Sequence, residues 1–202
     1  MYSRIGIFVY LIFAVAVVEC RPHRRQFSFG SSSTYTPGGN SGYYKDAYGV
    51  YWRGQKVSFL KASSFRDLGF GYASDATNVA FQGQKVKDAS ASSFKVLTDY
   101  YAMDTFNVYY AGEKIQGVFS SSFKTLGQNY ARDSFDVFYN GKQIPGARAS
   151  SFQLLGDFYA KDTFDVYYID KLVEGARASS FKVIGGGYGR DSWDTYYLGK
   201  KV

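Results

Sequence analysis

Histidine and cysteine are almost absent from this chain of 202 residues, which has one of each. Both precede residue 42, as His23 and Cys20, so thiolate nucleophiles, Ser-His-Asp triads and His/Cys metal sites are excluded from the rest. A carboxylate pair can hydrolyse glycosides, but Glu113 and Glu174 are the only glutamates after residue 42. We therefore expect a protein that is not an enzyme, with no cofactor and no metal site. A carboxylate-based hydrolase is the further alternative.

Proline and methionine are also scarce, with three and two residues, whereas tyrosine and phenylalanine reach 20 and 18. Aromatic and β-branched residues fit pleated, half-buried surfaces, so the composition favours a mainly β fold. The formal net charge of +7 suits an acidic polymer or an anionic surface, but it also serves solubility alone. We expect no nucleic acid among the partners.

The amino terminus has the pattern of a secretory signal peptide. Arg4 precedes an unbroken apolar run from Ile5 to Val18, which is too short to span a bilayer comfortably. Cleavage after Cys20 would make residues 1–20 the signal peptide and leave a mature chain without disulfides or a transmembrane span. The alternative is a lipoprotein acylated on Cys20, against which Glu19 argues. We therefore expect a secreted, extracellular protein.

Residues 21–42 are predicted to form a flexible tail. It begins with the basic cluster Arg21–Arg25, which is either a processing site or a solvated charged segment. Residues 31–42 are rich in glycine and serine and cannot bury enough apolar surface to be ordered.

The rest of the chain repeats with a fixed 29-residue period, which is typical of tandem-repeat architectures. Residues 43–202 are predicted to be one repeat domain of five units and a sixth, truncated unit, 191–202. Several columns of residues keep the period, among them phenylalanines from Phe65 to Phe181 and glycines from Gly54 to Gly199, interrupted at Asp170. The units begin at Asp46, Asp75, Asp104, Asp133, Asp162 and Asp191.

Each unit is predicted to contain three short strands and one helical turn. In the third unit the strands are Tyr101–Met103, Val108–Tyr110 and Glu113–Ile115, joined by a turn at 104–107 and a tight hairpin at 111–112.

The helical turn is predicted from the Ser-Ser-Phe-Lys-Thr-Leu-Gly run that follows the third strand. Ser121 would cap its amino end, Gly127 would end it, and Phe123 and Leu126 would share its buried face. One unit cannot bury its apolar face alone, so neighbours must stack. The stack is either an open β-rich solenoid or a closed, propeller-like ring. The repeat period is short for a propeller blade and favours the solenoid.

The repeated motif resembles that of the DKNYY family, repeat proteins of unassigned function. Asp162-Thr-Phe-Asp-Val-Tyr-Tyr168 and Asp104-Thr-Phe-Asn-Val-Tyr-Tyr110 match the family's Asp and Val-Tyr-Tyr. They differ at its Lys-Asn pair, where this chain has Thr-Phe, Ser-Phe or, in the last unit, Ser192-Trp193. The resemblance covers residues 43–202 and implies an extracytoplasmic repeat protein. It implies no catalytic residue.

The aspartate column is interpreted as a set of structural turns, because Asp, Asn and Gly are turn formers. Three units carry an Asp-x-x-Asp pair, such as Asp133 with Asp136, and paired carboxylates can also bind Ca²⁺. The other units have Gly49, Asn78 and Asn107 at the second position, which favours the turn.

Two further sets of residues are candidates for ligand binding. One is an aromatic column that presents flat rings if it is exposed and forms core if both faces are covered. The other is a lysine column, which either binds an anionic polymer or protects strand edges from pairing. The candidates are Tyr51, Tyr109, Phe138, Tyr167 and Tyr196 in the first set and Lys56, Lys85 and Lys114 in the second.

The sequence therefore predicts a secreted, non-enzymatic β-repeat module that binds a glycan or a matrix protein through tyrosine and basic rows. A structural matrix protein that self-associates is the alternative.

Overall fold

The computed structural model describes residues 41–202, which fold into six small antiparallel sheets with almost no helix. Sheet 1 has three strands and each later sheet has four; in every sheet each strand pairs with the next along the chain. The strands of sheets 1 and 2 are β1 (Tyr43–Asp46), β2 (Gly49–Trp52) and β3 (Gln55–Lys56), then β4 (Arg66–Gly69), β5 (Tyr72–Ser74), β6 (Val79–Phe81) and β7 (Gln84–Lys85).

Sheets 3 to 6 repeat the same meander. Sheet 3 consists of β8 (Lys95–Val96), β9 (Tyr101–Met103), β10 (Val108–Tyr110) and β11 (Glu113–Ile115). Sheet 4 consists of β12 (Lys124–Gly127), β13 (Tyr130–Arg132), β14 (Val137–Tyr139) and β15 (Lys142–Gln143). Sheet 5 consists of β16 (Gln153–Gly156), β17 (Tyr159–Lys161), β18 (Val166–Tyr168) and β19 (Lys171–Leu172). Sheet 6 consists of β20 (Lys182–Gly185), β21 (Tyr188–Arg190), β22 (Thr195–Tyr197) and β23 (Lys200–Lys201).

The three strands predicted for the third unit are confirmed as β9, β10 and β11. The tight connection between β10 and β11 has positive φ at both central residues, 48° at Ala111 and 83° at Gly112. That geometry is a type I′ turn, whose twist matches the flanking strands.

The prediction of a helical turn at 121–127 is wrong in extent. Each of sheets 2 to 6 has an additional strand in this part of the repeat. Residues Ser120–Ser122 form a short 3-10 turn, which ends where Phe123 adopts extended backbone with ψ of 135°. Lys124–Gly127 then pairs with β13, with a register shift between Thr125 and Gly127. The positive φ of Gly127, 95°, therefore serves a β-bulge and not a helix end. Similar 3-10 turns precede β4 and β16, at Ala62–Ser64 and Ala149–Ser151.

The apolar core lies between consecutive sheets. Tyr101 and Val108 of sheet 3 pack with Phe123, Ala131 and Phe138 of sheet 4 in one buried cluster. Equivalent clusters join sheets 1 and 2, 2 and 3, 4 and 5, and 5 and 6. The repeated units therefore depend on their neighbours, because each sheet buries its apolar side chains only against the adjacent sheets.

The predicted signal peptide, residues 1–20, and nearly all of the predicted tail, residues 21–42, lie outside the described residues.

Candidate functional site

The aromatic column predicted to bind a ligand is buried, and this corrects the prediction. Tyr109, Phe138, Tyr167 and Tyr196 are at most 2% exposed, so their ring faces cannot receive a ligand. Tyr51 is half-buried, in the first sheet. The rings are covered because each of them packs against the preceding sheet of the array.

The hydroxyl of Tyr109 also points inward. Its single O–H proton lies between two acceptors, Asp104 Oδ2 at 3.0 Å and the carbonyl oxygen of Asp88 at 2.9 Å. Burial and the hydrogen bond to the Asp104 carboxylate raise the pKa of the Tyr109 phenol above its ordinary value. Tyr109 is therefore a core residue with a satisfied polar end.

The aspartate column builds the turn between the second and third strands of each four-stranded sheet. Asp104 is 2% exposed, and its Oδ1 accepts the backbone N–H groups of Phe106 and Asn107, both at 2.8 Å. A carboxylate that accepts the N–H two residues on mimics a backbone turn. The same pair of bonds occurs at every unit: Asp46, Asp75, Asp104, Asp133, Asp162 and Asp191.

The second oxygen of each buried carboxylate holds the segment that enters the sheet. Asp104 Oδ2 accepts the N–H of Ser90 at 2.9 Å, and Asp133 Oδ2 accepts the N–H of Phe119 at 2.9 Å. The equivalent donors are Lys61, Arg148 and Arg177. Among residues 41–202 no three acidic, histidine or cysteine side chains form a group suited to a metal ion.

We expect the fold to lose stability in acid as these carboxylates are protonated. Burial raises the pKa of Asp75, but the N–H groups of Lys61, Thr77 and Asn78 outweigh burial and lower it to about 2. The opposing effects of burial and N–H donors likewise leave the pKa of Asp191 at about 2.

These pKa values lie below the ordinary value of about 3.9 in the unfolded chain. The carboxylates therefore contribute fully to the free energy of unfolding when the pH is above about 4. This contribution decreases as the pH falls from about 4 to about 2. The pKa values of Asp104 and Asp162 are lowered as well and add to the effect. Urea unfolding at a series of pH values should show a falling midpoint in this range. A midpoint that stays constant from about pH 5 to about pH 2 would contradict the role given to these bonds.

An exposed aromatic side chain occupies the third position of the same turn in five of the six units. We call this set the aromatic ridge. Its backbone N–H donates to the aspartate, and its ring points away from the sheet. The ridge and the exposed fractions are Tyr48, 80%; Phe106, 78%; Phe135, 66%; Phe164, 62%; and Trp193, 75%.

In sheets 4, 5 and 6 the residue held by the second aspartate oxygen flanks the ridge. The guanidinium of Arg148 lies 4.2 Å from the ring centre of Phe164, and that of Arg177 lies 5.2 Å from Trp193. In sheet 4 the flanking residue is Phe119, whose ring centre is 5.2 Å from that of Phe135. One carboxylate thus positions both the ridge residue and the side chain beside it.

Phe106 lies in the turn predicted at 104–107, but the aromatic candidates were chosen from the strands, so sequence reasoning missed the ridge. Pairing between β9 and β10 begins at Val108, so Phe106 belongs to the turn. The sequence did contain a signal for the ridge. An aromatic residue stands two positions after the repeated aspartate in five of the six units.

The lysine column lies where the sequence placed it, exposed on the last strand of each of sheets 1 to 3. Lys85 and Lys114 line one depression of about 240 Å³ between sheets 2 and 3, together with Lys87 and Glu113. Lys56 is not part of that depression. Within the described range, no helix is long and apolar enough to cross a membrane.

Fold and site together define a mainly β repeat protein. Its six small sheets carry the same aspartate turn, and five of these turns present an exposed aromatic residue at their third position. The chain belongs to the DKNYY family, whose model matches residues 32–142. The match spans sheets 1 to 4, and sheets 5 and 6 continue the same repeat spacing beyond it. No curated protein and no solved structure matches the chain significantly.

Proposed function

We propose that this protein is a secreted, non-enzymatic β-repeat module that binds an extracellular polysaccharide through the aromatic ridge. The observation that carries the proposal is the exposure of a large aromatic side chain, between 62% and 80%, at the same turn position of five units. Aromatic side chains supply large contact areas and are enriched at interfaces, so their exposure at one recurring turn position supports an interaction surface.

Flat rings that recur at one turn position of successive sheets, with the second sheet as the exception, suit a polymer that is itself periodic. The apolar faces of sugar rings stack on aromatic side chains, and each of the five units offers one such ring. Arg177 beside the ridge adds positive charge, as do Lys85 and Lys114 at the edge of the sheets, whereas the guanidinium of Arg148 is paired with Asp165 at 3.5 Å. We therefore favour an acidic glycan over a neutral one.

The state of the carboxylates supports a binding function over hydrolysis. A catalytic acid or base must be free to exchange a proton with its substrate. Asp75, Asp104, Asp133, Asp162 and Asp191 instead have both oxygens bonded to backbone N–H groups in the same turn geometry.

We also propose that the six sheets form an open solenoid. In a closed ring the last sheet would cover the first, as each inner sheet is covered by its neighbour. Tyr188 and Tyr197 of sheet 6 are instead 42% and 41% exposed, although the Tyr101 equivalent to Tyr188 in sheet 3 is fully buried.

We expect Phe106→Ala combined with Phe135→Ala to weaken glycan binding at least about tenfold, because two stacking contacts of roughly 1 kcal/mol each are lost. The free energy of unfolding should change by less than about 0.5 kcal/mol per site, since both rings are exposed. The measurement is a screen on an array of neutral, uronic-acid and sulfated oligosaccharides, followed by calorimetric titration of the best ligand.

Two controls separate the ridge from the rest of the surface. Thr77 occupies the ridge position in the one unit without an aromatic residue there, so Thr77→Ala should leave binding unchanged. Leu172 is an exposed apolar residue outside the ridge, 46% exposed, and Leu172→Ala should also have no effect. Equal binding by the ridge variant and the original protein would refute the ridge as the binding surface.

A further inference from the structure

Consecutive sheets are joined by a repeated junction built around a buried tyrosine. The hydroxyl of Tyr72 in sheet 2 donates to the carbonyl oxygen of Tyr100 at 3.1 Å and accepts the N–H of Gly112 at 2.8 Å, both in sheet 3. Tyr101 makes the same pair of bonds to Asn129 and Gly141 of sheet 4. The tyrosine therefore bonds the two turns at one end of the following sheet.

An aromatic neighbour on the adjacent strand completes this half of the junction. Tyr72 packs on Phe81 with ring centres 4.7 Å apart, and Tyr101 packs on Tyr110 at 4.9 Å. The neighbour's ring covers the hairpin glycine of the next sheet so closely that a Cβ on Gly112 would lie 2.7 Å from Phe81 Cβ.

Sheet 6 carries this half of the junction, and no other sheet of residues 41–202 covers it. Its Tyr188 and Tyr197 keep the same pairing, with ring centres 4.5 Å apart, but both are exposed by about two-fifths. Leu198 and Ile184 beside them are 44% and 55% exposed. Together they form an apolar face at the last sheet of the described range.

Sheet 1 carries the other half of the junction, the half that receives the tyrosine of the preceding sheet. Beyond its chain neighbours, no heavy atom of the described residues lies within 4 Å of where a Cβ on Gly54 would stand. Inside the array Tyr72 also packs on Phe94, which packs on Tyr109, each at 5.5 Å.

Sheet 1 also supplies an aromatic ring that can take the place of Phe94 in this contact. Tyr44 stands where later sheets have Ala73, Ala102, Ala131 or Ala160, and its ring stacks on Tyr51 at 5.0 Å, nearly parallel. Tyr44 is 48% exposed. Among residues 41–202, sheet 1 thus presents an aromatic surface and a hairpin glycine that no side chain covers.

We propose that sheet 6 of one copy docks on sheet 1 of a second copy, so that the internal junction is repeated between molecules. Tyr188 would stack on Tyr44, its hydroxyl would accept the N–H of Gly54, and Tyr197 would cover that glycine. The occupant is a second copy because its two ends carry the two halves of an interface that the chain already forms between its own sheets. Such a contact joins unlike surfaces, so it extends into filaments unless the ends meet in a ring.

Complementation between two variants of the full chain tests this arrangement. Sedimentation velocity should show the mass of the original protein rising with concentration. Ile184→Asp places a charge on the face of sheet 6, at a position where inner sheets have a leucine packed against the next sheet, and Tyr44→Glu places one on the face of sheet 1. Each should raise the apparent dissociation constant at least about tenfold, as expected for the loss of a central interface contact. An equimolar mixture of the two variants keeps one intact junction, so it should form a dimer and stop there.

Circular dichroism on heating should show that both variants remain folded, since Ile184 and Tyr44 are partly exposed. Phe106→Ala, which changes only the aromatic ridge, should assemble like the original protein. A chain that is monomeric at every concentration would overturn the proposal. So would variants that assemble normally, or a mixture that gives no dimer, because the association would then use other surfaces.

Discussion

Tyr101→Ala is expected to lower the free energy of unfolding by about 3–5 kcal/mol, the range found when a buried aromatic ring is removed from a core. The ring is fully buried between Phe123 and Tyr110. Its hydroxyl bonds Asn129 O at 3.1 Å and Gly141 N at 2.9 Å, so the substitution also removes partners from two turns of sheet 4. Urea unfolding followed by circular dichroism measures the loss.

Two controls divide this loss into its parts. Tyr101→Phe keeps the ring and removes only the hydroxyl, and should cost about 1–2 kcal/mol. Tyr188→Ala changes the same position of the last unit, where the side chain is 42% exposed, and should cost less than about 1 kcal/mol. Similar losses at positions 101 and 188 would mean that the tyrosine does not stabilise the fold through the following sheet.

Asp104→Asn is expected to cost about 3 kcal/mol or more, although the side chain keeps its shape, because charge-assisted bonds of about 1.5–3 kcal/mol each are lost. The carboxylate accepts three backbone N–H groups and the hydroxyl of Tyr109. Asparagine replaces one accepting oxygen by an NH₂ group, which faces donors in either orientation. Buried donors therefore remain unpaired, which adds to the cost.

The matched control for Asp104 is Asp46→Asn in the first unit. Asp46 makes the same two bonds to the turn, to Tyr48 N at 2.8 Å and Gly49 N at 3.0 Å. It is exposed, so water can replace a lost acceptor, and the expected cost is about 1 kcal/mol or less. Chemical unfolding of both variants compares the positions directly. Equal losses of unfolding free energy would show that neither the burial of Asp104 nor its bond to Ser90 N–H contributes to stability.

The repeat period identified the architecture because each turn needs the same few residues. Val-Tyr-Tyr predicts a strand from its branched and aromatic side chains, and the residue pair ending in Gly112 predicts a tight hairpin. The fourth strand was missed because Phe123 and Leu126 have helical spacing and Gly127 resembles a helix end. That glycine instead makes a bulge, which depends on pairing with β13 and is not visible in the local sequence.

Which aromatic residues are exposed could not be predicted from the strands alone. Alternation separates the faces of a strand, but it does not say whether a second sheet covers the outer one. Sheets 2 and 4 cover the two faces of β10, so Tyr109 becomes core, whereas Phe106 is exposed because it precedes the first paired residue. The lysine column was easier to place, because a charged side chain on an edge strand stays in water.

The side-chain hydrogen bonds of this fold join residues that are close in sequence, which affects how such chains fold and evolve. The bonds that define a unit span 14 residues from an aspartate, and 28 and 40 residues from a junction tyrosine. Each segment therefore finds its partners within about one and a half repeats. Folding can begin at any pair of neighbouring units and propagate in both directions. Duplication or loss of one whole repeat in the gene would lengthen or shorten the molecule without breaking any kind of contact, so the number of units is free to vary.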